Sequence, residues 1–329
     1  VGTPVDPVPD AVRQALADAA NAPGYPATAG TPRLRAAIVG YVSRRCGARL
    51  GEESVLPTIG SKELVASLPS QLGVGPGDVV VIPTICYPTY EVGARLAGAT
   101  VVRADSPADV PTSVGPVRLI WVNSPANPHG RVLTPEALRE WVAWARAQGA
   151  VLASDECYLE LGFDASPTSV LSVCDGTYDG VLAVHSLSKR SNLAGYRAAF
   201  VAGDPSLVHE LLAVRKHSGL IMPGPVQAAM AVALDDTAHA EAQRAVYGAR
   251  RSALRSALEG AGFTIDHSEA GLYLWATRGE ECWSTVEWFA TRGILVAPGV
   301  FYGPTADRHV RIALTATDER IAAAVARLS

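Results

Sequence analysis

The sequence predicts an α/β protein: a large domain on a mainly parallel central sheet flanked by helices, then a smaller α+β domain toward the C-terminus. Short apolar runs alternate with helical stretches from about residue 31, the order that a parallel sheet requires. The run 78–83 (DVVVIP) is apolar at successive rather than alternate positions, as in strands covered on both faces. Beyond about residue 205, long Ala/Arg-rich helices come first and separated strands follow.

Taken in order, Leu34, Ile38, Val39 and Val42 recur at helical spacing and predict a helix over 32–46. Gly60-Ser61-Lys62 opens a second helix that runs to about Leu72. Strands are expected at 78–83, 99–103, 117–123, 150–155, 180–185 and 198–202, with helices at 88–96 and 134–148 among them. The later part reads as helices over 225–234 and 238–260, strands at 272–277, 294–297 and 309–314, and a final helix from Asp318. The resulting domains are an N-terminal segment, 1–20, packing with the small domain, a large domain over 21–212 and a small domain over 213–329.

Composition narrows the function. The 329 residues are 48% hydrophobic and 18% charged, which excludes intrinsic disorder and supplies a sizeable core. A net charge of −4 and a pI near 6.0 exclude a nucleic-acid footprint. No apolar run approaches the roughly 20 residues of a membrane span, and no signal peptide opens the chain. A soluble, cytoplasmic protein is expected. Cys46, Cys86, Cys157, Cys174 and Cys282 contain no C-x-x-C pair, which argues against disulfides and thiolate zinc. The seven histidines form no ligand-spaced cluster, so no metal is expected. Side-chain amines are confined to Lys62, Lys189 and Lys216, so lysine chemistry has three candidate positions.

In an open α/β sheet, ligands gather at the carboxyl ends of the strands. There stand Asn127-Pro128-His129-Gly130, Asp155-Glu156-Cys157-Tyr158 and Ser186-Leu187-Ser188-Lys189. Each alone has a plainer reading, as a turn, a cap or a solvated loop. Together they suit a pyridinium cofactor that stabilises a carbanion. Such a group needs a lysine to hold it, a carboxylate at its ring nitrogen, and donors to its ring oxygen and phosphate. Asp155, Asn127, Tyr158 and Lys189 are the right types, and Arg197 offers a planar fork for phosphate. Ser186 and Ser188 add hydroxyls, and Gly60-Ser61-Lys62 adds the positive end of a helix.

The segment 186–197 (SLSKRSNLAGYR) strongly resembles the S-x-S-K-x-x-x-L-x-G-x-R motif of class I/II pyridoxal-phosphate aminotransferases. Asn127-Pro128-x-Gly130, Asp155-x-x-Tyr158, Gly60-Ser61-Lys62 and Val310-Arg311-Ile312 follow in that family's order, and the similarity spans nearly the whole chain. The stretches VGTPVDPVPD, GYPATAGTPRLRAAI and YPTYEVGARLAGA, with the Lys189-Arg190 pair, resemble more narrowly the actinobacterial N-succinyl-diaminopimelate aminotransferases of lysine and cell-wall biosynthesis.

The resemblance implies the fold-type-I architecture, pyridoxal 5′-phosphate as cofactor, and roles residue by residue. Lys189 would carry the cofactor as a Schiff base and then shuttle protons, Asp155 would face the ring nitrogen, and Asn127 and Tyr158 the ring oxygen. Tyr87 would stack on the ring. Ser61, Lys62, Ser186, Ser188 and Arg197 would hold the phosphate. Arg311, with Gly2 and Asn127, would bind the substrate α-carboxylate. Tyr25 matches the residue that reaches the phosphate from a neighbouring subunit, which implies a homodimer with a shared active site. The implied partners are small amino and keto acids: glutamate as donor and N-succinyl-2-amino-6-oxopimelate as acceptor.

Departures from the family pattern are also visible. Val1-Gly2-Thr3-Pro4 opens the chain, whereas the family carries this motif a few tens of residues in, so an N-terminal helix and arm are expected to be missing. Ala199 stands where relatives have Gly, and His129, in place of Thr, is expected to face solvent. Arg190 and residues of the first thirty are candidates for the distal carboxylates of a succinylated substrate. Other functions fit the same residues: another fold-type-I aminotransferase or a C–S lyase acting on a different amino acid, and, more remotely, a non-catalytic ligand-binding module of the same fold.

Overall fold

The apolar runs form the inner strands of a seven-stranded sheet in the computed structural model, which describes residues 2–328. Its strands are β1 (Val55–Ile59), β2 (Val79–Ile82), β3 (Thr100–Arg103), β4 (Val117–Asn123), β5 (Val151–Asp155), β6 (Val181–Ser186) and β7 (Ala198–Gly203). The order is β1-β7-β6-β5-β4-β2-β3, and β7 alone runs against the others. A second, antiparallel sheet holds β8 (Thr264–Asp266), β9 (Tyr273–Thr277), β10 (Ala297–Pro298) and β11 (His309–Ala313) in the order β10-β11-β9-β8.

The helices are α1 (Asp10–Asp18), α2 (Pro32–Tyr41), α3 (Ser61–Gln71), α4 (Thr89–Leu96), α5 (Pro135–Gln148) and α6 (Leu187–Arg190). They continue with α7 (Pro205–His217), α8 (Gly224–Asp235), α9 (Ala238–Gly260), α10 (Cys282–Ala290) and α11 (Asp318–Leu328). Local chemistry sets their ends. Thr31, Thr134 and Asp204 accept backbone N–H groups ahead of Pro32, Pro135 and Pro205, a cap followed by a residue with no N–H to satisfy. Gly149 closes α5 in the left-handed conformation. The helix expected over 32–46 is α2 continued by a π-helical turn, Val42–Cys46.

Two apolar layers sandwich the large sheet. Val81, Ile120, Val122 and Leu152 face α2, α5 and α8, whereas Val80, Ile82, Leu119 and Trp121 face α3, α4 and α7. A third core joins Tyr247, Leu254 and Leu258 of α9 to β9, β11 and α11. The change of core therefore falls at α9, later than position 213, because Ala229, Met230 and Leu234 of α8 pack with Leu34 and Ile38 of α2. The first twenty residues divide likewise: Val12 of α1 joins the large core, while Asp6 pairs with Arg250 of α9. The strand expected over 294–297 is shorter, since Val296 packs into the third core and pairing with β11 begins only at Ala297. β1, β8, α1, α7 and α10 were outside the expected elements.

Candidate active site

Strand ends of the large sheet, Arg311 of β11 and the extended N-terminal segment converge on one cavity of about 480 Å3. Lys189 sits on α6, one turn past β6, where the Ser186 hydroxyl caps the turn by accepting the Ser188 N–H at 3.2 Å. Its ammonium donates to the Gly2 carbonyl. Burial, with Arg311 and Arg197 nearby, lowers the Lys189 pKa to about 8, which makes a neutral amine accessible near neutral pH.

Asp155 ends β5. Its Oδ2 accepts the Tyr90 hydroxyl at 2.8 Å and its Oδ1 accepts the Cys157 N–H at 3.1 Å. Burial raises its pKa and these two donors oppose the rise. Asn123, at the end of β4, sets the spacing of the neighbouring loop. Its Oδ1 accepts the Asn127 N–H at 2.8 Å and its Nδ2 donates to the Asp155 carbonyl at 2.9 Å. The Asn127 amide oxygen in turn accepts Arg311 Nη1 at 2.8 Å.

Arg311 projects from β11 between two rings, with its guanidinium carbon 3.9 Å from the Tyr273 centroid and 4.8 Å from that of Tyr302. Its Nε is buried and has no partner. One edge of the fork is thus fixed by Asn127, while another donor waits for an acceptor. The Tyr158 and Tyr273 hydroxyls lie 3.3 Å apart, and burial raises the Tyr158 pKa well above its ordinary value.

Arg197, in the left-handed region at φ +56°, donates Nη1 to the Ala194 carbonyl at 2.9 Å. Gly60, at φ +89°, lies under the same guanidinium, where a Cβ would collide with Nη2. That close approach and the positive φ explain a glycine at the head of α3. Ser61, Lys62 and Tyr87 line the same cavity, with the Lys62 ammonium 5.8 Å from the Tyr87 centroid.

The cavity gathers Gly2, Ser61, Lys62, Tyr87, Asn127, Asp155, Tyr158, Ser186, Ser188, Lys189, Arg197 and Arg311, whereas Tyr25 is fully exposed and stands apart from it. Arg190 points elsewhere: it is buried, ion-paired with Glu160 and bonded to the Ala233 carbonyl at 2.9 Å, so it is unavailable to a substrate in this cavity. His129 is packed at the domain seam, 5.2 Å from the His267 ring, rather than turned to solvent. Cys46, Glu156 and His185 converge within 4.8 Å behind the site, a cluster that sequence spacing does not reveal. All five cysteines are unpaired. Tyr90, Asn123, Tyr273 and Tyr302 emerge only from the structure. Tyr90 had a signal in the YPTY stretch, but its partner Asp155 is 65 residues away.

The chain matches the aminotransferase class I and II family over residues 1–328. It is a class I/II aminotransferase. This aminotransferase is 61% identical over 334 residues to the "Probable aminotransferase Rv1178" of Mycobacterium tuberculosis, with all of this chain and 79% of that protein covered. It is 58% identical over 331 residues to the "4-dedimethylamino-4-oxo-anhydrotetracycline transaminase OxyQ" of Streptomyces rimosus, covering 92% of that protein. Among solved structures, a "probable N-succinyldiaminopimelate aminotransferase" from Thermus thermophilus superposes with a TM-score of 0.91 at 28% identity, covering all of this chain and 92% of that one.

Class I/II aminotransferases depend on pyridoxal 5′-phosphate, and the residues present fit that group. The donor set supplies an amine on Lys189, a hydrogen-bonded carboxylate on Asp155, and the Arg197 guanidinium over a glycine cradle. No described helix is long and apolar enough to cross a membrane.

Proposed function

We propose that this aminotransferase moves the amino group of glutamate to a keto compound, N-succinyl-2-amino-6-oxopimelate, and so makes N-succinyl-LL-2,6-diaminopimelate. The observation that carries the reading is the convergence of Lys189, Asp155, Arg197 and Arg311 on one cavity. The substrate choice draws support from the sequence stretches quoted above and from the described function of the Thermus thermophilus protein. Bound in this cavity, pyridoxal phosphate supplies an aldehyde that condenses with amines and a ring that withdraws electrons from the bonds at the substrate Cα.

The chain's own groups then have defined tasks. Arg311 presents the edge left free by Asn127, including the unpartnered Nε, to the α-carboxylate as a bidentate fork. Lys189 Nζ takes the proton from the substrate Cα and delivers it two bonds away, to the carbon beyond the amino nitrogen (C4′ of the cofactor), and the Gly2 carbonyl orients that amine. Asp155 faces the ring nitrogen, where Tyr90 and the Cys157 N–H hold its carboxylate and offset part of the pKa rise that burial imposes. Tyr158 and Asn127 serve the ring oxygen, Tyr87 covers the ring, and Ser61, Lys62, Ser186, Ser188 and Arg197 hold the phosphate. The working unit is a homodimer in which Tyr25 reaches the partner's phosphate site. Five unpaired cysteines suit a reducing, cytoplasmic setting.

A bulky ring ketone is the second reading. It draws on the 58% identity to the tetracycline-intermediate transaminase and on the aromatic walls formed by Tyr87, Tyr158, Tyr273, Phe301 and Tyr302. Glutamate added to the holoenzyme should bleach its visible absorbance and release 2-oxoglutarate. N-succinyl-2-amino-6-oxopimelate should then restore the absorbance and yield the amine. Restoration only by a polycyclic ketone would transfer the assignment to the second reading. Release of ammonia and pyruvate from a cysteine-like substrate, without bleaching, would replace both with a lyase.

A further inference from the structure

The rim of the active-site cavity carries an aromatic pair to which no step of the reaction has been given. Of the chain's five phenylalanines only Phe301 is exposed, and of its six tryptophans only Trp283. They are 56% and 48% exposed, and they pack edge to face, with ring centroids 5.8 Å apart and planes at 79°. Phe301 lines the cavity, and Trp283 braces it from the first turn of α10.

The backbone fixes this outward setting. Phe301 belongs to a 3-10 turn, Gly299–Tyr302, between β10 and β11. A Cβ at Gly299 would collide with the Ala306 and His309 carbonyls, so the turn is packed closely on the chain that follows it. The Tyr302 carbonyl accepts the Cys86 N–H at 2.8 Å, and the Tyr302 ring turns inward beside Arg311. The Cys282 N–H donates to the Asp307 carbonyl at 2.7 Å, which ties the start of α10 to the same loop. Phe301 is therefore held at the rim rather than free to fold into the core.

From the small domain the cavity receives Tyr273, Phe301, Tyr302 and Arg311. Arg311 is taken by the substrate α-carboxylate in the proposed reaction, and Tyr273 and Tyr302 flank its guanidinium. What that side leaves for the rest of a substrate is the Phe301 ring. Exposed aromatic surface gains free energy from an apolar partner that displaces water from it, and gains none from a hydrated charge.

We propose that Phe301 is a specificity-determining residue, selecting 2-amino and 2-keto acids whose end remote from the α-carboxylate carries apolar surface. Trp283 is its positioning residue. The inference rests on the reading of this cavity as the transamination site and adds the substrate class that its rim prefers. Covering the exposed part of one phenylalanine ring corresponds to a preference of about tenfold or more.

The test follows the bleaching of the holoenzyme's visible absorbance by single amino acids. L-2-aminooctanoate and L-phenylalanine are compared with L-glutamate, each as a second-order rate constant. Phe301→Ser should lower the ratio of 2-aminooctanoate to glutamate by about tenfold or more, and phenylalanine should follow with the same sign. Phe301→Leu, which keeps the rim apolar, should hold the ratio for 2-aminooctanoate within about threefold of the parent. Trp283→Ala should lower the ratio in the same direction, and Trp283→Phe should restore it. An unchanged ratio in Phe301→Ser would overturn the proposal, as would a parent that glutamate bleaches and neither apolar amino acid does. Elution of Phe301→Ser as a smaller species than the parent, with the ratio unchanged, would give the aromatic pair to a subunit contact instead. Bleaching of the parent by the apolar amino acids but not by glutamate, with the ratio of 2-aminooctanoate rates between parent and Phe301→Ser still falling, would uphold the rim assignment and remove glutamate as the donor.

Discussion

The Tyr90 hydroxyl reaches the Asp155 carboxylate at 2.8 Å from a helix on one face of the sheet, with the Tyr90 ring stacked on Trp121 at 5.0 Å. Burial raises the carboxylate's pKa, and that hydroxyl and one backbone N–H offset part of the rise. Tyr90→Phe removes one of the two donors. A hydrogen bond to a charged group contributes about 1.5–3 kcal/mol. Pyridoxal phosphate affinity should therefore fall by roughly one to two orders of magnitude. Titration of the apoprotein by visible absorbance measures this, with circular dichroism confirming an unchanged fold.

Lys189 should titrate far below an ordinary lysine. Burial and the charges of Arg311 and Arg197 bring its pKa to about 8 from 10.5. Trinitrophenylation of the apoprotein, followed by peptide mapping, should show Lys189 modification rising with a midpoint near pH 8. The folded pKa lies below the unfolded one, so the unfolded chain binds more protons between about 8 and 10.5. This group's destabilising contribution is therefore full below pH 8 and is relieved as pH rises to 10.5. Lys189→Met should remove that slope from the apoprotein's stability profile and abolish turnover while leaving the fold intact.

Gly60→Ala tests the phosphate cradle. The added methyl group would meet the Arg197 guanidinium and impose strain at φ +89°. Because Arg197 can swing aside, the fold should survive with a loss of about 1–2 kcal/mol. Pyridoxal phosphate should bind roughly tenfold or more weakly, as Arg197 loses its position. Pyridoxal, which lacks the phosphate, should bind the variant and the parent alike. Equal weakening of both ligands would contradict a phosphate role for this corner.

Asp6 ties the N-terminal segment to the small domain. Arg250, itself buried, donates Nη2 and Nη1 to its two oxygens at 2.6 and 2.8 Å and Nε to Asp318 at 2.7 Å. Burial pushes the Asp6 pKa up, but the Arg250 and Gln243 hydrogen bonds and the Arg250 charge outweigh it, and the net shift is downward. The stability from this pair is complete above pH 3.8 and lost as pH falls through the lower folded value. Asp6→Asn should remove that acid limb and cost about 1–3 kcal/mol at neutral pH, because Asp318 still accompanies Arg250. Urea unfolding at pH 3, 5 and 7 measures both. The amino donor's KM should also rise, since the same segment places Gly2 beside Lys189.

The sequence was legible wherever a residue's neighbours in the chain are also its neighbours in space. Continuous apolar runs such as Val79–Ile82 read as covered strands because both their faces are buried. The site motifs read well because each occupies a single strand end. β1 was not legible: Pro57 interrupts its pattern, and only pairing with β7, far along the chain, makes it a strand. Tyr90, Tyr273 and Tyr302 were not singled out, since their partners Asp155, Tyr158 and Arg311 lie on other elements. Arg190 and His129 were misplaced for the same reason. A polar residue beside a motif can turn toward the cavity or away from it, and only tertiary packing decides.

The scarcity of lysine has a practical side. Two of the three lysines open onto the active-site cavity, while Lys216 stands exposed on α7, outside it. With pyridoxal phosphate in place, a resin or dye that couples to side-chain amines would find Lys216 as its outward handle. The attached molecules would share one orientation, with their mouths free to take up reagents.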